Sequence, residues 1–280
     1  MSPGTHEATS VVVATDGSTF ADAAIDWAAT EAVSRQEPLV IITARPPDEP
    51  PEDEAPRKML QTAAERVRSG HPDLVVTTEI FSGDPRRALE LYESVATLMV
   101  VGSRGLGSVR SVLLGSVSFW ATRHLTVPFV VVRPPDTERL STPRAIAVGL
   151  GSAPDSDATL RHAFAMAHRR GCSLTIGNAA WDEHAIGNTW SMLSADEVEP
   201  RRRAAVTELS ERIARQFPDV RYSILFARGR VDYFLASLGR RHDALVLGRG
   251  QSTFLDFVSL GTLATFVVEH GVGATMVIPT

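Results

Sequence analysis

The chain has 280 residues, 44% of them hydrophobic, which suits one large domain or two ordinary ones with substantial cores. Its net charge of −5 divides into −6 over residues 1–140 (13 basic, 19 acidic) and +1 over residues 141–280 (15 basic, 14 acidic), so neither half carries the footprint of a nucleic-acid binder. Cys172 is the only cysteine, which excludes an intramolecular disulfide and a cysteine metal cluster; Lys58 is the only lysine and lies far from any glycine loop, which excludes a P-loop ATPase. The N-terminal residues are polar and no apolar run approaches about 18 residues, so neither a signal peptide nor a membrane span is expected, and the expected location is the cytoplasm.

Residues 11–15, Val-Val-Val-Ala-Thr, read as a buried strand, and Asp16-Gly17-Ser18 turns the chain into a helix whose apolar positions Ile25, Ala28, Ala29 and Ala32 recur at helical spacing. A second strand over residues 39–43 runs into residues 44–54, whose prolines and acidic residues forbid regular structure. That stretch is a solvated loop or, alternatively, a flap over a bound ligand. The next helix is marked by Leu60, Ala63, Ala64 and Val67, and a third strand spans residues 74–80. Gly83-Asp84-Pro85 then opens a helix carrying Ala88, Leu91, Tyr92 and Val95, with proline suited to the first turn. Residues 98–101 and 127–132 are the fourth and fifth strands. Alternation of strand and helix implies right-handed crossovers, a parallel sheet covered on both faces, and a ligand crevice beyond the carboxyl ends of the strands where their order reverses.

The fourth strand delivers Gly102-Ser103-Arg104-Gly105-Leu106-Gly107, whose glycines let a ligand approach the backbone. Gly115-Ser116 then opens a helix with Val117, Trp120, Ala121 and His124, and its free N–H groups and dipole favour an anion. The alternative is a glycine-bearing turn with no ligand. The spacing Gly102-x2-Gly105-x9-Gly115-Ser116 resembles the ATP-binding signature of the universal stress protein family, as does the first strand running into Asp16-Gly17-Ser18. The resemblance implies two Rossmann-like domains, each a five-stranded parallel sheet of order 3-2-1-4-5, in a protein active in stress or dormancy responses. It also implies an ATP site. Ala14 and Thr43 would offer backbone groups to adenine and Asp16 an acceptor to ribose or base, while Gly102, Gly105 and Gly107 wrap the phosphates. Gly115, Ser116, Val117 and Ser118 would meet the terminal phosphates at the helix start. Asp16 has an alternative role in capping the turn, Ser116 and Ser118 in capping the helix, and Arg104 and Arg110 are either phosphate neutralisers or solvated charges. A divalent ion such as Mg bridging the phosphates fits the shortage of fixed positive charge.

After a linker at residues 133–142 the pattern restarts, giving domains at residues 1–140 and 141–280. Gly83, Gly102 and Gly115 map onto Gly229, Gly248 and Gly261 at a constant 146, whereas Gly17 maps onto Gly151 at 134, the difference falling in residues 179–200 around Trp181, His184 and Trp190. On that alignment Asp16 corresponds to Leu150, Gly105 to Gln251 and Arg110 to Asp256. If Gly105 is left-handed, these losses weaken the second site about 10²- to 10³-fold, so one competent site is expected, in the first half. His124 and His270 read as packing groups, Arg201-Arg202-Arg203 as a solvated helix face, and His184 with Asp182 and Glu183 as only loosely metal-like. The chain is expected to be a nucleotide-responsive regulator with no catalytic residue, an unknown protein partner, and homodimer pairing through the apolar last strands, residues 129–132 or 275–278. The alternatives are a slow ATP hydrolase or phosphotransferase and a nucleotide-free assembly module.

Overall fold

Val11, Val12 and Val13 are wholly buried in strand β1 (Ser10–Ala14), at the centre of the first sheet. The structure is a computed structural model that describes residues 9–47, 54–106, 114–134, 145–151, 156–182, 184, 187–249 and 261–279. Two units are separated by the path of the chain, Met1–Pro134 and Pro135–Thr280.

In unit 1, β1 is followed by α1 (Thr19–Arg35), β2 (Leu39–Arg45), α2 (Ala55–Gly70), β3 (Val76–Ser82), α3 (Pro85–Tyr92), β4 (Ala96–Gly102), α4 (Ser116–His124) and β5 (Phe129–Val132). The strands are parallel in the order β3-β2-β1-β4-β5. Helix α1 forms because Ser18 caps it, its side chain accepting from the Ala21 N–H, and because Ala21, Ala24, Ile25, Ala28, Ala29 and Ala32 make one buried stripe. Gln36 ends it in a left-handed conformation, φ 57°, donating its N–H to Ala32 and Val33. Helices α1 and α2 pack together, as do α3 and α4, which right-handed crossovers place on opposite faces of the sheet.

Unit 2 repeats the plan with β6 (Ala145–Gly149), α5 (Ser156–Arg170), β7 (Ser173–Trp181), β8 (Trp190–Leu193), α6 (Pro200–Ala214), β9 (Tyr222–Gly229), α7 (Val231–Arg241), β10 (Ala244–Gly248), α8 (Gly261–His270) and β11 (Ala274–Ile278). Its parallel strands run β9-β7-β6-β10-β11, the same 3-2-1-4-5 order, but the expected five strands are six: the longer connection contributes β8, antiparallel on the outer edge of β9.

The strand register also corrects the internal alignment. Val11, paired with Leu39 and Leu98, has the place of Ile146, paired with Leu174 and Ala244. The offset is therefore 135 through β2 and α5, and 146 from β3 onward, where Val76 matches Tyr222. The N–H of Thr15 donates to Ile42 as that of Leu150 donates to Gly177, so Leu150 matches Thr15 and Asp16 falls on Gly151. Matching the turn glycines had shifted the alignment by one residue. Three further expectations change: Ala44 and Arg45 belong to β2, α3 stops at Tyr92, and its buried stripe is Ala88, Leu89 and Tyr92, without Leu91 and Val95. The rest of the acidic loop between residues 48 and 53, the linker residues 135–144, and Arg110, Gln251 and Asp256 lie outside the described residues.

Candidate functional site

The carboxyl ends of β1 and β4, neighbours in the sheet, set the turn at Asp16 beside the glycine loop. Asp16 Oδ1 accepts the Ser18 N–H at 3.0 Å, and Oδ2 accepts the Leu106 N–H at 2.7 Å, so one carboxylate ties the first turn to the loop across 90 residues of chain. This contact explains Gly105. Its φ is not positive, contrary to the left-handed conformation considered from sequence; a Cβ there would overlap Asp16 Oδ2. Gly102 is likewise required by close packing, since a Cβ would lie 2.8 Å from the Phe20 carbonyl carbon in the first turn of α1.

At the other end of the loop the Gly115 N–H donates to Ser103 at 2.8 Å, closing it at its base. Gly115 is the N-cap of α4 and no side chain caps that helix, so the leading N–H groups at Ser116, Val117 and Ser118 have no intrahelical acceptor. The Ser118 hydroxyl is already committed: it is buried and donates to the Gly102 carbonyl at 2.6 Å, pinning α4 to β4 where the sequence suggested phosphate binding or capping. The Thr43 hydroxyl donates to the Thr15 carbonyl at 2.8 Å, a bond of its side chain and not of the backbone groups expected to meet adenine.

These groups face a cavity of about 460 Å³. Its walls include Ala14, Asp16, Thr43, Gly102, Arg104, Gly105, Gly115, Ser116, Val117 and Ser118; Gly107 lies outside the described residues. Arg104 is the only basic residue among the described lining residues. Its guanidinium stands over the Phe20 ring, 5.6 Å from the centroid, and its buried Nε has no hydrogen-bond partner among the described residues. A half-buried guanidinium whose Nε has no partner among the described residues, beside a helix N-terminus with free N–H groups, favours an anionic group, while the Asp16 oxygens keep lone pairs for a donor. Sequence reasoning missed Thr15, Ala21, Ile42, Ala44, Val101, Leu114, Pro85 and Ala88. The last two lie on α3, and the signal for Ala88 was available in the repeat, where its counterpart is Phe234.

The remaining sequence candidates are placed as follows. His124 Nδ1 is 2.9 Å from the Trp120 carbonyl oxygen with its ring stacked on that indole, and His270 repeats the arrangement on Phe266. Arg202 is half-buried and turned inward: it donates to Asn178 Oδ1 at 2.6 Å and to the Asn178 and Ala227 carbonyls, and burial lowers its pKa. Asp182 accepts the His184 N–H and pairs with Arg228 at 3.0 Å, interactions that hold its carboxyl below the usual range; Glu183 lies outside the described residues.

Unit 1 thus has the form of a doubly wound α/β domain with an anion-favouring crevice at its strand-order reversal. The model of the universal stress protein family matches residues 8–133. A universal stress protein of Mycobacterium tuberculosis is 32% identical over 239 residues, covering 82% of this chain and 84% of its own, and one from Mycolicibacterium smegmatis is 27% identical over 290 residues, 96% of each chain. Among solved structures, a universal stress protein from Archaeoglobus fulgidus shares the fold at TM-score 0.64 and 15% identity, covering 98% of this chain and 99% of that one. The chain belongs to the universal stress protein family, as a member built of two tandem units.

Proposed function

We propose that unit 1 binds ATP and that the chain acts as a nucleotide-responsive regulator in stress or dormancy adaptation, with one competent site per chain. The observation that carries this reading is the convergence on one cavity of the Arg104 Nε, without a partner among the described residues, the free N–H groups at the start of α4 and the Asp16 carboxylate. In this reading the phosphates meet Arg104 and the α4 amides, a ribose hydroxyl donates to Asp16, and the base lies among the apolar strand ends and Ala88. ATP carries more negative charge than Arg104 and a helix dipole neutralise, so a divalent cation such as Mg²⁺ accompanies it.

Denaturing freshly purified protein and identifying released nucleotide by mass spectrometry, followed by titration of the emptied protein with ATP, tests the reading. About one ATP per chain is expected. No released nucleotide and no binding on titration would sink it.

A further inference from the structure

Ala88 of α3 and Phe234 of α7 occupy the same position of the repeat, at the offset of 146 that relates Val76 to Tyr222. Ala88 is a wall of the cavity, and its small side chain leaves the space above the strand ends open. Phe234 is 1% exposed and sits in a core cluster with Ala147, Leu235, Leu238 and Leu247. The strands beneath have yielded to it: Ala14 and Ile42, both cavity walls, correspond to Gly149 and Gly177. A Cβ on Gly149 would lie 2.5 Å from Leu247 Cδ2 and 2.7 Å from Leu235 Cδ2, and one on Gly177 would lie 3.0 Å from Phe234 Cε1 and closer still to Leu238. Volume removed from the strands is refilled by side chains of α7 and β10. Trp190, on the extra strand β8, then closes over the ring edge to face, with centroids 5.1 Å apart and planes at 71°.

We propose that the crevice of unit 2 is filled from within, Phe234 occupying under Trp190 the slot that Ala88 leaves open in unit 1, and that this one helix position decides whether a unit admits a planar base. The inference rests on the reading of unit 1 as a nucleotide site, and it supplies a cause of inactivity distinct from lost polar contacts. Replacing Asp16 by Gly151 weakens a ligand; an aromatic ring in the slot excludes it. The insertion that lengthens unit 2 has a purpose on this account, because it brings the indole that holds the ring.

The test introduces Ala88→Phe into the full chain and counts bound ATP by equilibrium dialysis, with Ala88→Ser as the variant that keeps the slot open. The expected result is an affinity loss of about 100-fold or more for Ala88→Phe with an unchanged circular dichroism spectrum, since the cavity beside Ala88 is open, and wild-type stoichiometry for Ala88→Ser. The reciprocal variant, Phe234→Ala, is titrated with indole, and one indole per chain more than wild type is expected, as apolar cavities accept aromatic probes. Wild-type affinity in a folded Ala88→Phe protein would overturn the inference while leaving the nucleotide reading intact, and so would an unchanged indole count in Phe234→Ala. Absence of ATP binding by the wild type would overturn the nucleotide reading, and the indole count would still decide whether Phe234 fills a slot.

Discussion

At the end of its first strand unit 1 has Asp16 where unit 2 has Gly151; behind the glycine loop it has Ser118 where unit 2 has Ala264; on its third helix it has Ala88 where unit 2 has Phe234. Along the helix that follows the first strand, by contrast, Ile25 and Leu160, Ala28 and Ala163, and Ala32 and Ala167 keep one buried stripe. The scaffold depends on periodic apolar volume that many residues share, so it survives duplication. A crevice depends on a few side chains with separate roles, so on the proposed reading three exchanges close it: a carboxylate is lost, the tie to the Gly102 carbonyl is lost, and a ring is gained. Even the buried ties follow this division: Thr43 donates to the Thr15 carbonyl, and in unit 2 Asn178 donates to the equivalent Leu150 carbonyl at 2.8 Å, itself held by Arg202.

The largest effect is expected from forcing glutamine, the residue that stood against Gly105 in the sequence alignment, onto unit 1. In Gly105→Gln the new Cβ overlaps Asp16 Oδ2, so the Asp16 to Leu106 bond breaks and the loop is displaced. An ATP affinity loss of at least about 100-fold is expected by calorimetry, combining overpacking with a lost charge-assisted bond. Affinity within threefold of wild type would mean that the loop does not shape the site. Next in size is Asp16→Ala, which removes the carboxylate that Gly151 lacks. A hydrogen bond to a charged group contributes about 1.5–3 kcal/mol, so a loss of about 10- to 150-fold is expected, together with faster amide exchange at Leu106. Slower or unchanged exchange at that amide would remove the loop-tying role. Arg104→Met keeps the contact with Phe20 and removes the charge; it should weaken ATP about 10-fold at low salt, leave adenosine binding unchanged, and flatten the salt dependence of ATP affinity. Equal effects on ATP and adenosine would place Arg104 away from the phosphates.

Much of this was readable in the sequence, for physical reasons that differ between elements. Strand β1 and the α1 stripe were legible because burial imposes a pattern on the residues, and Gly102 and Gly105 because a Cβ there would meet the Phe20 backbone and the Asp16 carboxylate. The reason for each glycine was not legible, since Phe20 and Asp16 approach only after folding. Strand β8 was hidden because four residues, Trp190–Leu193, form a strand only by pairing with β9, and the connection around them has no period of its own. The one-residue shift at Asp16 arose because glycines in a turn are weaker markers of register than the ladder they precede. Ala88 carried no signal alone; only the phenylalanine at the same place in unit 2 gives its small size a meaning.

The smallest expected effect concerns stability and separates the units at alkaline pH. Tyr92, buried at the end of α3, donates its hydroxyl to Glu79 on β3; unit 2 has Leu238 and Leu225 at these positions. Burial, then the hydrogen bond and the charge of Glu79, push the Tyr92 pKa up from its ordinary value. Because the folded value lies above the unfolded one, the neutral phenol stabilises unit 1 in full below about pH 10, and that contribution is lost as pH rises through the folded value. Tyr92→Phe should therefore cost about 1 kcal/mol in urea unfolding at pH 8, Glu79 regaining water in place of the phenol, and the difference from wild type should shrink as pH rises above 10. The same two measurements on Leu238→Met in unit 2 should show no change of difference with pH, since nothing at that position titrates. A Tyr92→Phe difference that stayed constant across the alkaline range would show that the phenol is held by packing alone, and that this pair does not distinguish the units electrostatically.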